Sequence, residues 1–366
     1  MNQETSSTNQ TPSPKKKWKK IAIISITAIL VILLGIVIYK RYYIGSKLEG
    51  NSVIEDLSSK FKIENKIKLV ENPLNGEKVS EQDAKRHPLG IVIENTPDAR
   101  PQSGLEKASI VYEAETEGGI TRFLGIFGPN AGGDDEIGPI RSARSFFVDW
   151  IQEYNGYFAY AGQALDAGQK IAAENVMNLS GYEGGTRKNY NGVASEHTLY
   201  NKFSNLYSQA KNKKFSAGAK FTPLQFKDDA TLDNRGTQNQ ITVGYGGDYK
   251  VIWIYDKESN RYKRSLGANP HIMRYSNTQL STKNIIVQVV NRSPIALPGA
   301  KPTYKFQTTG SGKGTIYMDG KSSEITWKKE GKSRTKFFDK DANEIKFNRG
   351  VFWYEIVPPE VVVTAN

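Results

Sequence analysis

The chain has 366 residues, a formal net charge of +12 and no cysteine. The missing thiols exclude disulfides, cysteine nucleophiles, thiolate metal sites and a lipid-modified cysteine anchor. Half of the excess positive charge lies in residues 1–41, and the rest is too thinly spread to point to nucleic acid as a partner.

Residues 1–14 are polar and rich in Pro, Ser and Thr, which predicts disorder. With KKKWKK (15–20) they form a basic tail, residues 1–20. IAIISITAILVILLGIVIY (21–39) follows without a charge. As a helix it is about 28 Å long, enough for a hydrocarbon core of about 30 Å. Trp18, Tyr39, Tyr42 and Tyr43 stand where interfacial aromatics belong. The lysines before the span place the N-terminus in the cytoplasm and the remainder outside. A cleaved signal would have a shorter apolar region and a small-residue cleavage site. The reading is an uncleaved, single-pass signal anchor with the lipid bilayer as its partner.

Residues 40–86 are charged and read as a linker, with one short helix near SVIEDLSSKF (52–61). From residue 87 the pattern changes. LGIVIEN (89–95), ASIVYEAET (108–116), TRFLGIFG (121–128) and GYFAYAG (156–162) read as strands. SARSFFVDWIQEY (142–154) puts Phe147, Trp150, Ile151 and Tyr154 on one helical stripe. LDAGQKIAAEN (165–175) and HTLYNKFSNLYSQAKNK (197–213) are further helices, the last with Thr198 as its N-cap. Alternating strands and helices make residues 87–215 a mixed α/β domain. After KNKKFSAGAK (211–220) helical periodicity disappears. KVIWIYD and NRYKRSL (250–256, 260–266) read as a hairpin, and short strands follow to VFWYEIVP (351–358). The expected fold class is therefore α+β: the mixed domain, then a β-rich, mostly antiparallel domain over 216–358, a tail over 359–366, and a single transmembrane helix in front.

With these pieces in place the chain resembles the YerB-like lipoprotein family of the bacterial cell envelope, a domain of unknown function. The resemblance rests on HPLGIVIENTPDARPQSGLEKASIVYEAETEGGITRFLGIF (87–127), IGPIRSARSFFVDW (137–150) and SEHTLYNKF (195–203). Farther on it rests on YDKESNRYKRSLGANPH (255–271), GSGKGTIYMDGKSSEITWKK (310–329) and FNRGVFWYEIVP (347–358). It implies an anchored envelope protein with two domains and hands over no activity. Glu113 and Glu117 fall on family-like positions; Glu115 does not. The chain departs in its membrane span in place of a lipidated Cys, in Thr198 after His197, and in Met273 two residues after His271.

The candidate site residues are Glu94, Arg100, Glu113, Glu117, Arg122, Arg141, Arg144 and His197. In a regular strand Glu113, Glu115 and Glu117 all point to one side. Glu113 and Glu117 would stand about 13 Å apart at ordinary strand rise, too far for retaining glycosidase chemistry. Arginine forks suit carboxylates, so the glutamates either pair internally or line a polar ligand site. Arg141 and Arg144 in GPIRSAR (138–144), at a helix entrance, suit an anion. His87, His197 and His271 stand singly, so neither a metal site nor a cofactor is expected. GSGKGT (310–315) lacks the first glycine and the following helix of a phosphate loop, and reads as a hairpin. Trp253, Tyr255, Tyr262, Trp327, Trp353 and Tyr354 suit sugar stacking or a strand core. Taken together, the sequence favours an extracytoplasmic binding protein for a polar or anionic wall glycan or peptide. The alternatives are a wall hydrolase or transferase using Glu113 or Glu117 with His197, and a structural partner in an envelope protein complex.

Overall fold

Leu89–Glu94 and Phe352–Val357 are buried along their whole length. Such continuous apolar runs suit strands covered on both faces. The computed structural model of the protein describes residues 68–128, 131–295 and 303–366. The basic tail 1–20, the span 21–39 and the helix expected near 52–61 lie outside them. Among the described residues no helix is long and apolar enough to cross a membrane. They are mostly strand, with few helices.

One twelve-stranded sheet organises the described residues. Its middle is assembled from both halves of the sequence. Phe352–Val357 lies parallel to Ile110–Glu117 on one side and to Asn284–Val289 on the other. Ile120–Phe127 runs antiparallel between Ile110–Glu117 and Leu89–Glu94, and Tyr157–Tyr160 continues the sheet in parallel. At the other end, the GSGKGT segment belongs to strand Gly310–Met318, which hairpins onto Lys321–Lys329. Asp319 and Gly320 turn it with φ of 54° and 66°, the two positive values of a two-residue type I′ turn.

Each sheet face is covered. On one side Phe146, Phe147 and Ile151 of helix Ser145–Gln152, with Ile171 of helix Leu165–Ala173, pack on Val92, Tyr112 and Leu124. On the other, a second sheet from Gln240–Val243, Val251–Asp256 and Arg261–Leu266 contributes Ile241, Trp253 and Tyr262 to a core with Phe123, Val111 and Trp353. All six aromatics considered as sugar platforms are buried. They are core residues.

Three local expectations change. The helix expected over 197–213 begins at Phe203, because Leu199–Lys202 pairs as a strand with Glu136–Ile137 and Thr186–Arg187. Thr198 caps no α-helix; its hydroxyl donates to Ser195 O. Within the stretch read as linker, Leu69–Glu71 and Lys78–Ser80 form a hairpin. In the stretch read as a tail, Val363–Ala365 adds to the second sheet through Gln240–Val243.

Candidate functional site

The strand ends at Glu94 and Glu117 carry charge on both faces of the main sheet. Alternation assigns the faces. Val111 and Phe123 belong to the core under the second sheet, and Glu113 lies across from Phe123. Val92, Ala114 and Leu124 belong to the core under the helices, and Arg122 lies between Glu94 and Ala114 on that side. The three glutamates do not keep to one side. A register shift between Glu115 and Glu117 breaks the alternation, so Glu115 is opposite Thr121 while Glu117 is opposite Ile120. Glu117 thereby joins Arg122 on the helix side, away from Glu113.

On that helix side two clusters meet. Glu117 Oε1 lies 2.8 Å from Arg122 Nη2, and Oε2 lies 2.5 Å from Arg144 Nη2. Burial alone would raise the Glu117 carboxyl, but Arg122 and Arg144 together hold it below its ordinary value. Burial, with Arg144 beside it, brings Arg122 down to about 10, so it stays protonated at neutral pH. Beside this pair Glu94 is 1% exposed. Its Oε1 lies 3.0 Å from His197 Nδ1 and 3.2 Å from Arg141 Nε. Neither carboxylate oxygen receives an aligned hydrogen bond. Arg141 and His197 are 22% and 14% exposed in their side chains. Arg141 donates outward to Glu196 O at 3.0 Å and to Glu196 Oε1 at 3.3 Å. Glu196 itself is 60% exposed.

The second-sheet side is closed. Glu113 Oε2 lies 2.6 Å from Arg264 Nη2, and both side chains are fully buried. Thr121 Oγ1 donates to Glu113 Oε1 at 2.8 Å. Arg264 donates to His271 Nδ1, and His271 Nε2 lies 2.7 Å from Gln102 Oε1. Burial, then Arg264 and Arg100, hold His271 well below the usual histidine range, so it is neutral, with Nδ1 accepting and Nε2–H donating. The Arg264 guanidinium also lies 4.9 Å from the Trp353 ring centre. Glu355 pairs with Glu113 across parallel strands and accepts from Trp253 Nε1 at 2.8 Å. Burial and the neighbouring Glu113 push it up to about 8.

Of the eight expected site residues, six gather on the helix side: Glu94, Glu117, Arg122, Arg141, Arg144 and His197. Glu113 is part of the closed network, and Arg100 reaches toward it by donating to Asn95 Oδ1. The acid/base pairing of Glu113 or Glu117 with His197 finds no support in this geometry. Glu113 is on the opposite face against Arg264, Glu117 is held by two arginines, and His197 Nδ1 faces Glu94. Among the described residues no group of three His, Asp or Glu side chains is placed to hold a metal ion. Sequence reasoning missed Arg264, His271, Gln102 and Glu355. Arg264 carried a usable signal, because it shares its strand face with buried Tyr262.

The sequence matches the family described as "Protein of unknown function (DUF3048) N-terminal domain" over residues 74–216. It matches "Protein of unknown function (DUF3048) C-terminal domain" over residues 241–354. It is 28% identical over 295 residues to "Putative lipoprotein YerB" of Bacillus subtilis (strain 168), covering 80% of this chain and 87% of that one. The fold is similar to the crystal structure of YerB protein from Bacillus subtilis, with a TM-score of 0.71 and 27% identity. That likeness covers 81% of this chain and 99% of the solved one.

Proposed function

The chain belongs to the DUF3048 family, and from that premise we propose that it is an anchored envelope protein binding a polar wall ligand at the Glu94–Arg141–His197 corner. The anchor is residues 21–39, since the chain has no cysteine to take a lipid. The N-terminus is cytoplasmic and the folded part extracytoplasmic. The ligand is a wall glycan or peptide bearing an anionic group.

One observation carries this reading. Glu94 is buried with no aligned hydrogen bond to either oxygen, yet it faces two cationic or titratable side chains that reach the surface. A buried carboxylate in this condition is costly, and such costs are tolerated mainly where a site needs them. Glu94 fixes the inner edge of the Arg141 guanidinium and leaves its outer edge to exposed Glu196. An exposed ion pair of this kind is worth little, so an incoming anion replaces the Glu196 carboxylate at small cost. Arg144 and Arg122, tied to Glu117, add positive potential behind it.

The test is retention of purified wall polymer by the full chain in nanodiscs. Arg141→Lys keeps the charge against Glu94 but loses the planar fork. Retention by the unaltered protein and a loss of about tenfold in Arg141→Lys support the site. Equal retention by both would remove Arg141 from it.

A further inference from the structure

Arg100 sits on the other side of the 94–95 strand end and has no carboxylate partner. Of the five N–H donors on its guanidinium, three are directed to carbonyl oxygens. Nε donates to Asn95 Oδ1 at 3.2 Å, Nη2 to Asn95 O at 2.7 Å and Nη1 to Asp248 O at 3.1 Å. The guanidinium carbon lies 5.2 Å from the Tyr249 ring centre. Among the described residues no Asp or Glu side chain lies within ion-pair distance of Arg100; Glu113 and Asp248 act on it only at longer range.

The charges behind Arg100 do not balance. Arg264 is neutralised by Glu113. His271 is neutral, and Glu355, at about 8, is mostly protonated at pH 7. Arg100 therefore adds one positive charge to the closed network, and the Asp248 side chain beside it is exposed and makes no ion pair with it. Buried or half-buried charges are normally paired. In front of Arg100 is a cavity of about 450 Å³ lined by Arg100, Asp248, Gly247, Gly267, Ala268 and His271, among others. At Gly247 and Gly267 a Cβ would meet nothing within 4 Å, so both turns border open space.

We propose that this cavity binds the carboxylate of a small ligand, a free carboxylic acid or the C-terminus of a short peptide, on the two unused N–H groups of Arg100. A carboxylate matches the guanidinium fork and gives Arg100 the direct anionic partner it lacks. A phosphate dianion would be repelled more strongly than a carboxylate by Asp248, which also lines the cavity. The volume lies in the range of small-molecule sites, with room for a ligand of dipeptide size. This site is separate from the Glu94–Arg141 corner, which lies on the opposite face of the sheet, and either can fail without the other.

The experiment titrates the full chain in nanodiscs with N-acetyl-alanyl-alanine and with its C-terminal amide. The acid is expected to bind at least about tenfold more tightly than the amide. Arg100→Gln should remove that preference. Ala268→Trp, which fills the cavity from an exposed position and leaves Arg100 intact, should weaken the acid by a similar factor and guards against a folding defect in the first variant. Acetate competing with the dipeptide identifies the carboxylate itself as the anchor. Acid and amide binding alike, no saturable binding of the acid, or full affinity in Ala268→Trp would overturn the proposal.

Discussion

Two charged clusters share one strand end and differ in how their charges are satisfied. On the second-sheet side Glu113 has Arg264 and Thr121, Arg264 has His271, and His271 has Gln102. The chain of partners crosses from the first half of the sequence to the second and stays under cover. On the helix side Glu94 is equally buried but takes no hydrogen bond, and its neighbours Arg141 and His197 reach the surface. A buried charge with its partners in place is a cross-link; a buried charge that holds others at the rim is a site under construction for something else. The same residue types serve both, so composition alone does not tell them apart.

Variants can break or sharpen that contrast. The largest effect is expected on the closed side. Arg264→Ala leaves Glu113 buried and alone, and should lower stability by about 3–5 kcal/mol in denaturant unfolding. A loss below about 1 kcal/mol would show that the network is not a cross-link. On the helix side Glu117→Ala should cost about 2 kcal/mol, because Arg122 loses a partner while Arg144 stays near solvent.

Glu355 gives a pH signature for the closed side alone. The groups facing it are Glu113, Arg264, Trp253 and Tyr245. Its folded-state value, about 8, is above the unfolded value of 4.5. The folded state therefore binds the proton more tightly. The resulting stabilisation is fully present below about pH 4.5, declines as pH rises, and is gone above about pH 8. Glu355→Gln should flatten the urea midpoint between those limits, and a midpoint that keeps the wild-type slope would contradict the assignment. The smallest stability effect is expected at the rim, where Glu196→Ala should change unfolding free energy by less than about 0.5 kcal/mol.

Much of the outer site was legible in the sequence. Glu94, Glu117, Arg122, Arg141 and Arg144 stand within 94–144, with His197 farther along the chain, and the arginine supply next to the glutamates announced pairing. The division into two faces was not legible, because it depends on a one-residue shift next to Glu117 that turns the side chain over. Gly118 and Gly119, between the two strands, mark a turn but do not fix where the pairing shifts. The sequence pattern puts His197 at a helix entrance, whereas long-range pairing makes 199–202 a strand and leaves His197 in a short turn of its own. The insertion of Phe352–Val357 beside Ile110–Glu117 was hidden for a related reason. A strand buried on both faces looks the same whichever neighbour it joins. Glu355, the lone charge in FWYEIV, was the one residue in that run that could have signalled a buried partner.

The most direct measurement compares wall-polymer affinity in the full chain, Arg141→Lys and Glu196→Ala at matched melting temperatures. Competition for the outer edge of Arg141 requires Glu196→Ala to bind at least as tightly as the unaltered chain, and Arg141→Lys to bind about tenfold more weakly. Three equal affinities, or a loss in Glu196→Ala with none in Arg141→Lys, would contradict the Glu94–Arg141–His197 corner as the ligand site.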